Sequence, residues 1–259
     1  GFIMKNTPFI AVTSQPVPYH ADTTAIFNTL CQQNSNSLLL DSAEIGSKNS
    51  LQSLILINAA VKITCLGNQV TFRALNANGK QVLNEIHPVL SQLGTVSAVN
   101  FDNEFSVQFA PLDNQLDEDS KLQAATIFDG LRVISNHYQH SSTPVFLGGL
   151  FAYDLVANFI PMQGVELKDD GIHCPDYSFY LAENLITIDH QSQQATLKSF
   201  CFSQEEQVEV AKTALSIAQK LKNIDGVLSI KAASDEVSTN FEDPEFTGIV
   251  KALKHHINI

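Results

Sequence analysis

The sequence has few cations and no cluster of them, which excludes two classes of partner. Only 15 of the 259 residues are Lys or Arg, against 27 Asp or Glu, so the formal net charge is −12. Nucleic acids and anionic membrane surfaces are bound by clustered cations, and here the basic residues are scattered along the chain. We therefore expect neither a nucleic-acid partner nor a membrane partner.

Long apolar runs and paired cysteines are also missing. No apolar stretch approaches the roughly 18 residues that a membrane-spanning helix requires, and the first residues lack the apolar core of a signal peptide. The four cysteines form no C-x-x-C pair, and the eight histidines show no zinc-site spacing. A disulfide framework is not expected in a chain of this size. We expect a cytoplasmic protein with reduced, mostly buried thiols.

What the sequence does contain is typical of a folded globular protein, with 44% hydrophobic and 16% charged residues. Asp22 is placed to cap a short amphipathic helix. Two β-rich runs, Val61–Leu66 and Val70–Leu75, surround Gly67-Asn68, a pair that suits a tight hairpin turn. Short strands separated by a few helices predict an α+β fold with mostly antiparallel, β-sandwich-like sheets and flanking helices.

The second half of the chain carries further structural predictions. Residues 117–138 begin with three acids and continue with an apolar stripe about one turn apart, which predicts one long helix. Gly148 and Gly149 lie inside a predicted strand over 145–154, where they indicate a bulge or a close backbone approach. The remaining predicted elements are strands over 178–181, 185–189, 196–202 and 227–230 and a helix over 204–222.

No complete catalytic motif occurs in the sequence. The phosphate-binding loop, the dinucleotide fingerprint, the zinc-protease helix and the nucleophile elbow are all missing. Asp189 and His190 are adjacent on a predicted strand and so face opposite sides, which favours a strand-end turn over an acid–base pair. We interpret Asp169-Asp170 as solvated charge on a loop. We interpret His255-His256 as part of a surface helix.

The segment 38–56, LLLDSAEIGSKNSLQSLIL, places an acid and a hydroxyl at the end of an apolar run. Asp41 and Ser42 could bind an ammonium group and orient a carboxylate, while apolar neighbours accept a side chain. A small zwitterion fits such a cluster. Asp and Ser also close strands and start turns, so the pattern by itself favours a turn over a binding site.

Several segments, in order, resemble anthranilate synthase component I, a family of chorismate-utilising enzymes. They are LLLDSAEIGSKNSLQSL, AVKITCLGNQVTFRALNANGK, LDEDSKLQAATIFDGLR, LGGLFAYDLVANF, CPDYSFYLAENLITIDHQ and EFTGIVKALKHHINI. The resemblance runs from Ala21 to the last residue. It implies that the chain is the N-terminal region of such an enzyme, with the α+β fold of that family.

The resemblance also implies a regulatory site. In the family an acid–serine pair contacts bound L-tryptophan, the feedback inhibitor, and this pair corresponds to Asp41-Ser42. Leu40 and Gln52 complete the set of predicted tryptophan-binding residues. Gln52 stands where close relatives carry a lysine, and Asp41 replaces a glutamate that is one methylene longer.

The family's activity is implied as well. These enzymes convert chorismate and ammonia to anthranilate and pyruvate, with ammonia supplied from glutamine by a glutamine amidotransferase subunit. The residues that bind chorismate and magnesium lie in the C-terminal catalytic domain. We therefore expect no catalytic residue, metal or cofactor in this chain, with magnesium needed only in the full-length enzyme.

The resemblance divides the chain into four predicted parts. They are an N-terminal extension over residues 1–20, the tryptophan-sensing region over 21–230, a linker over 231–244, and the start of a truncated chorismate-binding catalytic domain over 245–259. The chain is predicted to hold half of a tryptophan site and to be inactive alone.

Two alternatives remain open. The nearer is the related subunit that makes aminodeoxychorismate for folate synthesis. The agreement with the family through LLLDSAEIGSKNSLQSL favours the tryptophan pathway over this alternative. The other is a stand-alone amino-acid-binding module. The helical pattern that is still running at the last residues argues against it.

Overall fold

The computed structural model describes residues 7–32, 34–43, 50–100, 103–111, 115, 117–119, 125–151 and 176–232. In chain order the elements are β1 (Ala11–Val17), α1 (Thr23–Cys31), β2 (Leu38–Ala43), β3 (Ser50–Leu66), β4 (Gln69–Ala74), α2 (Ala77–Leu90), β5 (Thr95–Asn100), β6 (Glu104–Gln108), α3 (Asp129–His137), β7 (Leu147–Phe151), β8 (Tyr177–Asp189), β9 (Gln194–Cys201) and, after a 3-10 turn at Gln204–Glu206, α4 (Gln207–Ala232). None of the helices in these residues has the length and apolar character needed to cross a membrane.

The strands form one nine-stranded sheet in which neighbouring strands run antiparallel. Its order is β1-β9-β8-β3-β4-β6-β5, with β2 also paired to β3 and β7 also paired to β8. The long strands β3 and β8 lie at the centre, and each changes its second partner along its length. The predicted α+β fold with antiparallel strands and flanking helices is confirmed.

Helices cover both faces of this sheet and bury two separate cores. The first core lies under α2 and α3 and contains Leu40 and Leu54. The second core lies under α1 and α4 and contains Leu39 and Ile55. Successive residues of a strand point to opposite faces, so β2 and β3 each supply both cores.

Several local predictions are confirmed. The Asp22 carboxylate accepts the N–H of Ala25 at 3.0 Å and caps α1. Gly67 turns the β3–β4 hairpin with a φ of 62°, a left-handed conformation that glycine adopts without steric cost. Gly149 makes the predicted close approach, because a Cβ there would lie 2.2 Å from the carbonyl oxygen of Ser178.

Three predictions of element boundaries are wrong. The helix over 117–138 is interrupted at 125–128, where the Asp129 carboxylate accepts the N–H of Thr126 and fixes a turn before α3. The strand over 227–230 is helical, because α4 continues through Gly226 to Ala232. The strands over 178–181 and 185–189 are one strand, β8, which continues through a shift in its register with β3.

The first strand lies within residues 1–20, which were predicted to form an extension. Residues 11–17 pair with β9 along their whole length, from Ala11 opposite Cys201 to Val17 opposite Ala195. The β1 strand therefore belongs to the sheet, while the division of the chain into four parts stays a prediction.

A buried carboxylate occupies the point where the two central strands change partners. Glu183 of β8 is 5% exposed, and the register of β3 against β8 shifts beside it. Three amide nitrogens donate to its carboxylate oxygens: Nδ2 of Asn58 at 2.6 Å, of Asn76 at 2.9 Å and of Asn78 at 3.2 Å. One carboxylate thus ties β8 to β3 and to the beginning of α2.

The pH dependence of stability should report on this carboxylate. Burial raises the pKa of Glu183 above its ordinary value of 4.5, although the three amide donors oppose this rise. A raised folded-state pKa means that the folded protein holds the proton more tightly than the unfolded chain. The resulting stabilisation is complete below pH 4.5 and is lost as the pH rises through the folded-state pKa.

Glu183→Gln cannot titrate, so we expect its free energy of unfolding to lack this decline. Urea titrations of the variant and the parent at a series of pH values, with Glu205→Gln on the exposed 3-10 turn as control, would measure the difference. Equal pH slopes for the parent and Glu183→Gln would contradict the expectation.

Candidate functional site

The predicted site residues lie where β2 and β3 pair. Leu40, Asp41 and Ser42 belong to β2, and Gln52 belongs to β3. The register places Asp41 opposite Ser53 and Ser42 opposite Gln52. In the described residues β2 pairs only with β3, so the site lies beside an open strand edge with backbone donors and acceptors.

The sheet divides these residues between its two faces. Leu40 is 1% exposed and packs in the first core, and strand alternation puts half-buried Gln52 on the same face as Leu54. Asp41 faces the other way, on the side of the second core, and is 6% exposed. The side chain of Ser42 and residues 44–49 lie outside the described part of the structure. The four residues therefore stay a prediction as ligand contacts.

Asp41 is connected to three residues that the sequence alone does not predict as site residues. Its Oδ1 accepts from the hydroxyl of Ser53 at 2.5 Å, a distance typical of a hydroxyl bound to an ionised carboxylate. Ser53 Oγ lies 2.8 Å from Nε2 of His190, and Nδ1 of His190 lies 2.9 Å from the hydroxyl of Tyr19. Ser53 is fully buried, whereas Tyr19 and His190 are half-buried. The series of contacts therefore leads from a half-buried region to the buried carboxylate.

His190 is held in place by the turn that ends β8. Oδ1 of Asp189 accepts the N–H groups of Gln191 at 2.9 Å and of Ser192 at 3.2 Å. The backbone hydrogen bond from Ser192 is the largest cause that lowers the pKa of Asp189. The prediction of a strand-end turn is confirmed, and His190 pairs with Ser53 rather than with its neighbour.

The other candidates give no second site in the described residues. Asp169-Asp170 and His255-His256 lie outside them. Within them, no group of three or more His, Cys, Asp and Glu side chains could hold a metal ion. Cys31, Cys65 and Cys201 are buried and form no disulfide, as predicted. Cys174 is not among the described residues.

Comparison with known proteins shows one family and a series of similar relatives. The sequence model of the family described as "chorismate binding enzyme" matches residues 84–259. Anthranilate synthase component 1 of Haemophilus influenzae is 86% identical over 99% of this chain and 49% of the relative. The proteins of the same name from Vibrio cholerae and Escherichia coli are 40% and 34% identical, over 98% and 92% of this chain and 49% and 46% of the relatives.

The chain spans about half the length of the curated relatives it matches. The family match begins at residue 84, inside the region that is predicted to sense tryptophan.

Proposed function

This chain belongs to the family of chorismate binding enzymes, and we propose that it forms the tryptophan-sensing part of an anthranilate synthase component 1. The whole protein would convert chorismate and ammonia to anthranilate and pyruvate. The name of the relatives, component 1, supports a partner component, which we propose to be a glutamine amidotransferase. The residues that carry out the reaction would lie in the part of the protein beyond this chain.

The observation that carries the regulatory proposal is the fixed, buried carboxylate at the end of β2. A carboxylate is the strongest side-chain acceptor for an ammonium group, and a hydrogen bond between them is stronger inside a protein than in water. Asp41 is 6% exposed and already oriented by Ser53. Among the described residues, the edge of β2 away from β3 has no paired strand, and such an edge can supply backbone donors to the ligand's carboxylate.

Inhibition would follow from a difference in affinity between two arrangements of the whole protein. A ligand can shift a conformational equilibrium only as far as it binds one state better than the other. Tryptophan that bridges β2 and the rest of the enzyme would favour the inactive arrangement. A coupling of roughly 1–3 kcal/mol is typical of such regulation.

The catalytic part of the proposal has a direct assay. We expect the purified 259-residue chain to form no anthranilate from chorismate and ammonium ions. A polypeptide of the relatives' full length that contains this sequence is expected to form it, as followed by the fluorescence of anthranilate. Turnover by the 259-residue chain alone would contradict the assignment of catalysis to another part.

Ser42→Phe should relieve inhibition in the full-length polypeptide. The proposal gives Ser42 a contact with the ligand, so a bulky ring in its place should exclude tryptophan. Tryptophan should then no longer inhibit, while chorismate is still turned over. The tryptophan concentration for half-maximal inhibition is the measured quantity. Inhibition of Ser42→Phe at the parent's tryptophan concentration would show that the site is elsewhere.

Binding can also be measured on this chain directly. The chain contains no tryptophan, so the indole fluorescence in a titration comes from the ligand alone. We expect weak binding, because the proposal gives this chain half of the pocket, and we expect Ser42→Phe to lose it. Tight binding by this chain alone would instead support a stand-alone amino-acid-binding module.

A further inference from the structure

The contacts from Asp41 to Tyr19 have only one arrangement of hydrogens when His190 is neutral. A carboxylate only accepts, so the single hydrogen of the Ser53 hydroxyl is used on Asp41. Ser53 Oγ must then accept from Nε2–H of His190. The other ring nitrogen, Nδ1, keeps its lone pair and accepts from the hydroxyl of Tyr19.

All three hydrogens in this chain therefore point towards the carboxylate. Donors aligned in one direction polarise one another and strengthen the last bond in a series. The series joins the segment after β1, the end of β8, the middle of the sheet and the edge strand β2. The carboxylate of the edge strand is thus oriented by residues that lie 12 and 149 positions further along the chain, at Ser53 and His190.

We propose that Ser53 and His190 are positioning residues, which orient the Asp41 carboxylate for the ammonium group of an amino-acid ligand. The inference rests on the proposed function, because it concerns the same carboxylate. A group held in its binding orientation before the ligand arrives loses little freedom on binding, which raises affinity. Neither residue needs to touch the ligand for this effect.

The burial and support of the two residues fit this role. Ser53 is fully buried, so its hydroxyl does not exchange its partner for bulk water. The imidazole of His190 has bonds on both nitrogens, and the aromatic ring of Tyr19 meets it edge-on at 5.7 Å between centroids. The turn at Asp189 fixes its backbone. The imidazole is therefore oriented by its two hydrogen bonds, by the ring of Tyr19 and by its own backbone turn.

The first test reads the hydrogen positions without any ligand. Nitrogen-15 NMR of the 259-residue chain distinguishes the two neutral tautomers of histidine, and the His190→Gln variant identifies the signal among eight histidines. We expect the tautomer with hydrogen on Nε2 for His190 and a change in its Nδ1 signal in Tyr19→Phe. A hydrogen on Nδ1, or an equilibrium between both tautomers as in free solution, would overturn the proposed chain of hydrogen bonds.

The second test measures inhibition by tryptophan in the full-length polypeptide. Ser53→Ala and His190→Phe each remove two of the three hydrogen bonds in the series. We therefore expect the half-inhibitory concentration to rise about tenfold. Ser53→Thr keeps the hydroxyl, and His190→Gln keeps an N–H donor near the position of Nε2. These two variants should restore affinity to within about threefold of the parent, which a general loss of packing would not allow.

The outcomes separate the two proposals. If Asp41→Asn leaves inhibition unchanged, the proposed tryptophan site is wrong and the positioning role is overturned with it. If Asp41→Asn weakens inhibition but Ser53→Ala and His190→Phe do not, the site stands and the positioning role is overturned. Circular dichroism and the thermal midpoint of each variant show whether an effect comes from unfolding, and the Thr and Gln variants supply the answer if the more severe ones unfold.

Discussion

Asp41→Asn is expected to raise the tryptophan concentration for half-maximal inhibition by about 100-fold, or about 2.7 kcal/mol. Asparagine has nearly the same shape and keeps an oxygen that can accept from Ser53, as Asp41 does at 2.5 Å. The substitution therefore removes the negative charge and leaves the packing of a side chain that is 6% exposed. The ligand's ammonium group would then face a neutral amide in place of a carboxylate. Inhibition of the full-length polypeptide measures the effect.

The matched control is Asp22→Asn. Asp22 is an exposed carboxylate that caps α1 through Ala25 N–H, and asparagine caps a helix about as well as aspartate. The same chemical change should therefore leave inhibition within about twofold of the parent. Equal shifts for Asp22→Asn and Asp41→Asn would mean that overall charge, and not a contact at β2, governs inhibition.

Glu183→Leu is expected to lower the free energy of unfolding by about 3 kcal/mol, because it leaves buried amide donors without their acceptor. Asn58 and Asn76 cannot rotate to new partners, since their Oδ1 atoms accept from Asn184 and from Gly79 N–H. Asn78 keeps one acceptor, the carbonyl of Phe200. Urea unfolding followed by circular dichroism measures the loss.

Two further variants calibrate this loss. Ser199→Ala removes the last bond of the same network, from Ser199 Oγ to Asn184 at 2.6 Å, and should cost about 1 kcal/mol. Glu205→Leu changes an exposed glutamate on the 3-10 turn and should change stability by less than about 0.5 kcal/mol. If Glu183→Leu cost no more than Glu205→Leu, the three amides would have found other partners.

Structural features that depend only on residues close together along the chain were predictable from the sequence. The Asp22 cap and the Gly67 turn each depend on a few adjacent residues, and both are confirmed. The close approach at Gly149 was also predictable, because glycine inside a strand usually marks a bulge or a place where another backbone comes near. The fold class followed from the order of such local patterns.

The sequence predicts two strands in place of the central strand β8, because the middle residues of β8 break the pattern of a strand. Glu183 and Asn184 are polar, and a buried strand normally excludes such side chains. The structure accommodates them through the register shift against β3 and the amides of Asn58 and Asn76. These partners lie more than 100 positions away, so no local pattern could have predicted them.

The family resemblance and the fold class could be obtained from the amino-acid sequence, because motifs and hydrophobic periodicity are properties of short stretches. The resemblance, and not periodicity, singled out the acid–serine pair at Asp41-Ser42 as a candidate site. Tertiary structure alone decided what surrounds Asp41. Strand register placed Ser53 opposite it, and the end of β8 brought His190 and then Tyr19 into the same row of hydrogen bonds. Register depends on how distant strands pair. A single hydrogen-bonded row can therefore join residues from four separate stretches that share no pattern along the chain.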